Sequence, residues 1–514
     1  MKGNKNNILR IIALLLITAL VAGVFISCGE KKPDSSVEKN EDKKSDDSAA
    51  DDNDPEEEKD IKIYPDLPED IDYDGYVFTF LSHEEAATGW DWATPQPREC
   101  VAEVADAEDP INDAVYRRNT YIMDKYGVEF DLITNSNETS LLKKSVQAGD
   151  NNYDAVLIYN NNVPGVVTND LLLEVSHLPY LDLEKPWWDK GVNAMSVAKK
   201  QYLLAGDLLI LDNEATNAII FNKDLMQSLG IDLPYNMVKE GKWTFDAMLE
   251  MCKGAELDLN GDGKLDYKDD RFSFVTFNDT LQAFLVAGGG TFAAKDSDDI
   301  PYMCFAEQKN LDVMDKAMNL LYKETNPGVL NVQKDAGSAA ETWRILYYDG
   351  FMDNRALFMW IRMRVVEVFR GMDANFGILP MPKYDEAQDD YCSLVNPYTG
   401  VMMGVPKTAE PERTSIILEA LSAESKYTLQ PAYYDIVLSR KFTRDDESQD
   451  MLDIIFGNQI YDIGGVYSFG GVFSDFNGLA SKEDRNIISY YDKKIGNMEK
   501  AIDKVVTAFE TMDD

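Results

Sequence analysis

The chain has 514 residues, 45% hydrophobic and 11% aromatic, enough to bury a large core in more than one domain or lobe. Its 91 acidic and 50 basic residues give a formal charge of -41, which excludes general affinity for a nucleic-acid backbone, since that affinity comes from Lys and Arg displacing counterions. Two histidines, His83 and His177, are too few for a multi-histidine zinc site or a histidine relay, so any catalysis would rest on carboxylates.

The opening stretch, MKGNKNNILRIIALLLITALVAGVFISC, places Lys2, Lys5 and Arg10 before an apolar run from Ile11 to Ile26 that ends at Ser27 and Cys28. A basic start, an apolar middle and a small residue before the break read as a secretory signal. Residues 1–28 resemble a bacterial lipoprotein signal, in which Cys28 becomes the lipidated first residue of the mature protein. Ile26 and Ser27 match the lipobox, while Phe25 stands where leucine is usual. An uncleaved membrane anchor is the competing reading, because the run is nearly long enough to span a bilayer. Either way the rest of the chain is expected outside the cell.

Between Gly29 and Ile61 the one aliphatic side chain larger than alanine is Val37, so residues 29–62 are expected to form a disordered acidic tether. Its about 33 residues give a root-mean-square reach of roughly 30 Å. Cys100, Cys252, Cys304 and Cys392 are far apart, form no CxxC pair and read as small buried hydrophobes, with one chance disulfide left open.

YVFTFLS (Tyr76 to Ser82), after the turn-prone DYDG, is expected as a strand. DPINDAVYRRNTYIMDKYG then predicts a helix with Asp109 as N-cap, Pro110 at its first position, Ile111, Val115 and Ile122 on one face, and Gly127 as terminator. VEFDLI reads as a second strand, SLLKKSVQAG as a helix, and YDAVLIY (Tyr153 to Tyr159) as a third strand. Further on, NAIIFN, FGILPMP and GVMMGVP read as strands and WTFDAMLEMCKGAE and NLDVMDKAMNLLYKE as helices. Strands alternating with helices predict an α/β body with a mainly parallel sheet. With no second linker in about 450 residues, two lobes threaded more than once are expected, and ligands in such folds sit at strand C-termini across a cleft.

The order of signal and tether, VYRRNTYIMDKYGVEF, YDAVLIYNNN, AIIFNKDLMQSLGIDLP, KWTFDAMLEM, NFGILPMPKYDEAQ and PAYYDIVLSRKFTRDDESQDML resembles the family 1, carbohydrate-type solute-binding lipoproteins of bacterial ABC importers over nearly the whole mature chain. The resemblance implies a two-lobed periplasmic-binding-protein-like fold (type II, Venus flytrap) with a hinge crossed more than once. It implies lobe 1 over 63–216 plus about 403–440, and lobe 2 over 217–402 plus about 441–514. It also implies a monomer, held to the membrane by its lipid anchor only, that hands a sugar to a membrane permease.

Sugars offer an apolar face and a polar rim, so their sites need flat rings and planar hydrogen-bonding groups. Trp90 and Trp92 follow the first strand, and Tyr159, Asn160 and Asn161 follow the third; all are cleft candidates, against loop anchoring for the tryptophans and a plain turn for the asparagines. Asp212 and Asn213, with Glu214 beside them, suit bidentate recognition of sugar hydroxyls from a hinge-side loop, with a solvated turn as the rival. Trp360 and Arg362 lie in DNRALFMWIRMRVVEVF, which resembles the family's run carrying a ligand-stacking tryptophan, although core packing competes; Tyr398 in NPYTG is a further candidate. Trp187, Trp188 and Trp243 read as core or capping aromatics, and AGGGTF as a turn, since it lacks the lysine of a phosphate loop.

DLNGDGKLDYKD puts side-chain oxygens at loop positions one, three, five, nine and twelve, as Asp258, Asn260, Asp262, Asp266 and Asp269, with Gly263 at the sharp turn and the Lys264 carbonyl at position seven. This predicts structural calcium, against a plain acidic turn. The short Asp269, the strand-like RFSFVTF behind it and the lack of a paired second loop point to a staple rather than a sensor. No nucleophile elbow is present, and among 91 acidic residues a carboxylate pair carries no weight, so a non-enzymatic binder is expected. A surface-anchored glycan-degrading enzyme and a structural or adhesive surface protein are the alternatives.

Overall fold

The structure is a computed structural model that describes residues 62–84, 97–336, 348–438 and 446–512. The signal, Cys28, the tether, Trp90 and Trp92 lie outside the described residues.

Local signals set the first elements. Strand β1 (Tyr76–Ser82) buries Phe78, Phe80 and Leu81. Helix α1 (Pro110–Tyr126) starts where the Asp109 carboxylate accepts the amides of Ile111 and Asn112, and ends at Gly127 in the left-handed region. That terminator must be glycine for a second reason: a Cβ there would sit 1.9 Å from Asp72 Oδ1. Strand β2 (Val128–Thr134), helix α2 (Glu138–Ala148) and strand β3 (Ala155–Tyr159) follow, with β1 parallel to both strands.

Helix α3 (Leu211–Ala215) then leads into β4 (Asn217–Asn222), all of whose residues are buried, as both faces are covered. After helix α4 (Phe245–Cys252) come β5 (Phe272–Thr276), β6 (Val329–Asn331), β7 (Ala356–Arg362) and β8 (Phe376–Leu379). These make a five-stranded sheet in the order β8-β4-β7-β5-β6. The chain then contributes β9 (Val401–Gly404), which runs antiparallel to β3 and completes a four-stranded sheet in the order β9-β3-β1-β2.

Both sheets are mainly parallel, each with one reversed strand: β4 runs against both β7 and β8, and β9 against β3. The reason is that β4 and β9 each begin where the chain has just left the other sheet. The two connecting stretches lie side by side, with a bridge between Thr216 and Val395 and the Asn396 amide donating to the Ala215 carbonyl at 3.0 Å. The helices Pro411–Tyr427 and Leu429–Leu438 pack on α1 beside the first sheet, whereas Asp446–Gly457 packs on β8 of the second.

The tryptophans expected in the core are there. Trp243 is fully buried, its indole donating to the Pro380 carbonyl at 2.9 Å. Trp187 and Trp188 both donate to the Glu419 carboxylate, at 3.1 and 2.8 Å. The four described cysteines are free, and three of them are buried.

Candidate functional site

The ends of β3 and β7 and the connecting stretches converge on one polar cluster. Tyr159 closes β3 with its ring on that of His83, centroids 4.0 Å apart. Its hydroxyl is buried and makes no hydrogen bond among the described residues, and burial pushes the phenol far above its ordinary range, with Arg364 opposing only in part. Asn160 is wholly buried; its backbone amide donates to the Gly400 carbonyl at 2.9 Å, yet neither atom of its side-chain amide is paired. A Cβ at residue 400 would lie 2.5 Å from Asn160 Nδ2, so glycine is needed for the close approach. The buried hydroxyl of Thr399, one residue earlier, is also unpaired.

Charged groups stand beside these neutral ones. Glu214 on α3 takes Arg98 Nη2 at 3.1 Å and Arg364 Nη1 at 3.7 Å, and Arg98 also reaches Glu367 at 3.7 Å. Glu214, Arg362, Arg364, Leu211, Val365 and Thr399 line a cavity of about 20 Å³, room for a single water. The end of the second sheet and the two connecting stretches therefore meet around this small space.

Asp212 and Asn213, expected as ligand groups, face the other way. They sit in a helical turn, not a loop, and residues one or two apart on a helix do not share a face with Glu214. Asn213 donates to Gln430 Oε1 and accepts from Gln459 Nε2, both at 3.0 Å, while Asp212 accepts from the Tyr461 hydroxyl at 3.3 Å. They line a separate cavity of about 500 Å³ with Trp188, Asp189, Asp207 and Lys426. Their polar atoms hold the connecting stretch to its neighbours instead of pointing into the cluster.

Trp360 is 1% exposed inside β7, so in this conformation it offers no ring face to a ligand; core packing prevails over stacking. Arg362, two residues on, reaches the cavity with its guanidinium 5.9 Å from the Trp360 ring. Tyr398 is 38% exposed and meets Phe473 edge-on at 5.1 Å, and Asn161 is exposed. Trp90 and Trp92 are not described, but His83 and Arg98, on either side of them in the chain, both belong to the cluster. Reading the sequence missed Arg98, Arg364 and Thr399. Arg364 carried no local signal, since β7 ends at Arg362 and Arg364 lies in the 3-10 helix Met363–Gly371 that follows.

In the acidic loop, Asp258 accepts the amides of Gly261 and Gly263 at 2.6 and 2.7 Å, Asn260 that of Asp262, Asp262 that of Lys264 and Asp266 that of Lys268, each at 2.9 Å. Asp269 points to solvent, whereas its neighbour Asp270 is buried and accepts the amides of Leu259 and Asp266 at 2.8 and 2.6 Å. Those backbone donors hold the Asp270 carboxyl below the usual range. The donors are oxygens, as calcium requires, but among the described residues no three acidic, His or Cys side chains gather closely enough to hold an ion.

No family model matches the sequence, and no curated protein does. Solved structures do. A cyclo/maltodextrin-binding protein complexed with maltotetraose superposes with a TM-score of 0.50 at 14% identity, over 86% of this chain and 100% of that one. UspC of M. tuberculosis gives 0.51 at 12%, over 84% and 100%. ABC substrate-binding protein Lmo0181 from Listeria monocytogenes, in complex with cycloalternan, gives 0.49 at 13%, over 85% and 100%. At such identities the likeness concerns architecture: the chain has the two-lobed α/β fold of solute-binding proteins.

Proposed function

We propose that this chain is an extracellular solute-binding protein that captures a saccharide between its two lobes and hands it to an ABC-type permease. It is held at the membrane through lipidated Cys28 and the acidic tether. The observation that carries the reading is a set of buried polar groups unpaired among the described residues, the Tyr159 and Thr399 hydroxyls and the Asn160 amide, where the end of β3 meets the stretch that carries Thr399 and Gly400, with Thr399, Arg362 and Arg364 on the wall of one small cavity. Buried polar atoms without partners are costly, and sugar hydroxyls, each both donor and acceptor, suit such a set. Glu214 and Glu367 are engaged in ion pairs with arginines, an arrangement suited to holding a ligand rather than to general acid catalysis.

The test is a thermal-shift screen of the purified protein against mono- and oligosaccharides, with peptides and polyamines as controls. A saccharide at about 100 times its Kd should add roughly 2.7 kcal/mol of stability. Response to peptides or polyamines alone, or release of reducing sugar from a glycan, would overturn the reading.

For the acidic loop we propose structural calcium, whose binding would have to draw together Asp258, Asn260, Asp262, Asp266, Asp269 and the Lys264 carbonyl, which do not converge without it. Oxygen-only donors and left-handed Gly261 and Gly263 support this. Chelation is expected to lower the melting temperature, a loss on the order of 2–3 kcal/mol for an ion at 100-fold excess over Kd, and to leave ligand choice unchanged. An unchanged melting temperature would mean that Asp270 and the backbone close the loop unaided.

A further inference from the structure

We propose that the captured saccharide is acidic, a uronate-bearing oligosaccharide whose carboxylate pairs with Arg362. The inference rests on the saccharide reading above and narrows it. Among the described residues, Arg362, Arg364 and Glu214 line the small cavity, and Arg98 joins them through Glu214 and reaches Glu367, three guanidiniums against two carboxylates. Arg98 and Arg364 are engaged with those carboxylates. Arg362 makes no ion pair or hydrogen bond with a described residue, and its charged end meets only the ring of Trp360.

In a chain of net charge -41, where acids outnumber bases almost two to one, a half-buried guanidinium without a counterion among the described residues is out of keeping. Removing it from water without an opposite charge is unfavourable, and an anionic ligand supplies that charge. A planar guanidinium matches a carboxylate in two parallel hydrogen bonds, which a hydroxyl cannot offer. Its position is fixed, because Arg362 ends β7 in register with Asn217 at the start of β4. The neutral groups nearby, the Tyr159 and Thr399 hydroxyls and the Asn160 amide, suit the ring hydroxyls of the same ligand.

The cavity admits only a water, so the ligand enters when the lobes part. Parting separates Arg98 from Glu367 and Arg364 from Glu214, ion pairs that tie residues 363–371 to the opposite side.

The experiment is titration calorimetry of the purified protein with uronate trisaccharides, their carboxyl-reduced neutral counterparts and a sulfated disaccharide, repeated on Arg362→Gln. The uronate is expected to bind at least about 10-fold more tightly than its reduced counterpart, with the preference shrinking as salt rises. R362Q should weaken the uronate by roughly 10- to 100-fold and the neutral sugar far less. Equal affinity for the uronate and its reduced form, or an equal loss of both in R362Q, overturns the acidic assignment and leaves the saccharide reading standing. A sulfated sugar bound in preference to every uronate overturns the carboxylate. Failure of all sugars, charged and neutral, removes the saccharide reading and this one with it.

Discussion

Replacing Arg118 with alanine is expected to lower the unfolding free energy by about 3–5 kcal/mol, the range for breaking a buried, hydrogen-bonded charge network. Arg118 is fully buried in α1. Its guanidinium donates to the Glu99 carbonyl at 2.6 Å, to Asn119 Oδ1 at 2.8 and 2.9 Å and to Ser425 Oγ at 3.0 Å, and Asn119 donates to the Cys100 carbonyl at 2.9 Å. Burial pulls its pKa down to about 10, which still leaves it charged at neutral pH. One side chain thus ties α1 to residues 99–100 and to the helix Pro411–Tyr427. Alanine would leave these acceptors without partners in the dry interior and open a void as well. Arg118→Met keeps much of the volume and should lose less. Urea denaturation followed by circular dichroism measures both, and a loss below about 1 kcal/mol for alanine, the net worth of one ordinary hydrogen bond, would contradict the account. The same variant should weaken ligand binding, since Arg98, which pairs with Glu214 and Glu367, is held next to the anchored Glu99.

The protein is expected to be most stable on the acid side of neutrality. Burial pushes Glu99 and Glu419 up to about 7, the latter despite indole donors, and Asp207 rises to about 7 through burial, with Lys426 opposing. In the unfolded chain such carboxyls titrate near 4. Between about pH 4.5 and 7 the folded state therefore holds protons that the unfolded state has released, and stability falls as pH rises through that window and levels off above it. Each unit of pKa difference corresponds to about 1.4 kcal/mol, so the combined change is on the order of several kcal/mol. Self-repulsion among 91 acidic residues acts in the same direction. Melting temperatures recorded from pH 5 to pH 8 should decline. Glu99→Gln should flatten part of that slope and be more stable than the native chain at pH 8, because the neutral amide removes the cost of a wholly buried negative charge. A melting temperature that rises across this range would refute the prediction.

Elements with local causes were legible. The α1 helix needs only Asp109, Pro110 and Gly127 and an apolar face, all within one window of sequence. Strand β4 was visible as NAIIFN, but that it runs against β7 was not, since pairing direction depends on where a chain returns from. The acidic loop shows the limit at one-residue scale. Counting along the motif placed Asp269 at position twelve but could not show that its neighbour Asp270 turns inward to the loop amides, beside the bridge between Leu257 and Arg271.

The site divides in the same way. Tyr159 and Asn160 were legible as candidates because they stand at and just after the end of β3, where ligands sit in an α/β fold, whereas Arg362 was named only through the resemblance of its segment to the family's run. The choice between core packing and the cleft for Trp360 could not be made from the sequence, because the side of a strand that becomes core depends on what packs over it, and β7 lies between β4 and β5 with both faces covered. That Asp212 and Asn213 line one cavity and Glu214 another was not legible, because a turn of helix, not a loop, carries the three residues and points them apart.

By itself the sequence determined the signal-like start, the α/β grammar, the charge that rules out nucleic acid, and which side chains have sugar-binding chemistry. Those properties are local or additive, so they survive without coordinates. Only the tertiary structure decided which of these groups meet. Arg98, Glu214, Arg362, Arg364 and Thr399 are separated by as much as three hundred residues of chain, and long-range packing, not spacing, brings them around one cavity.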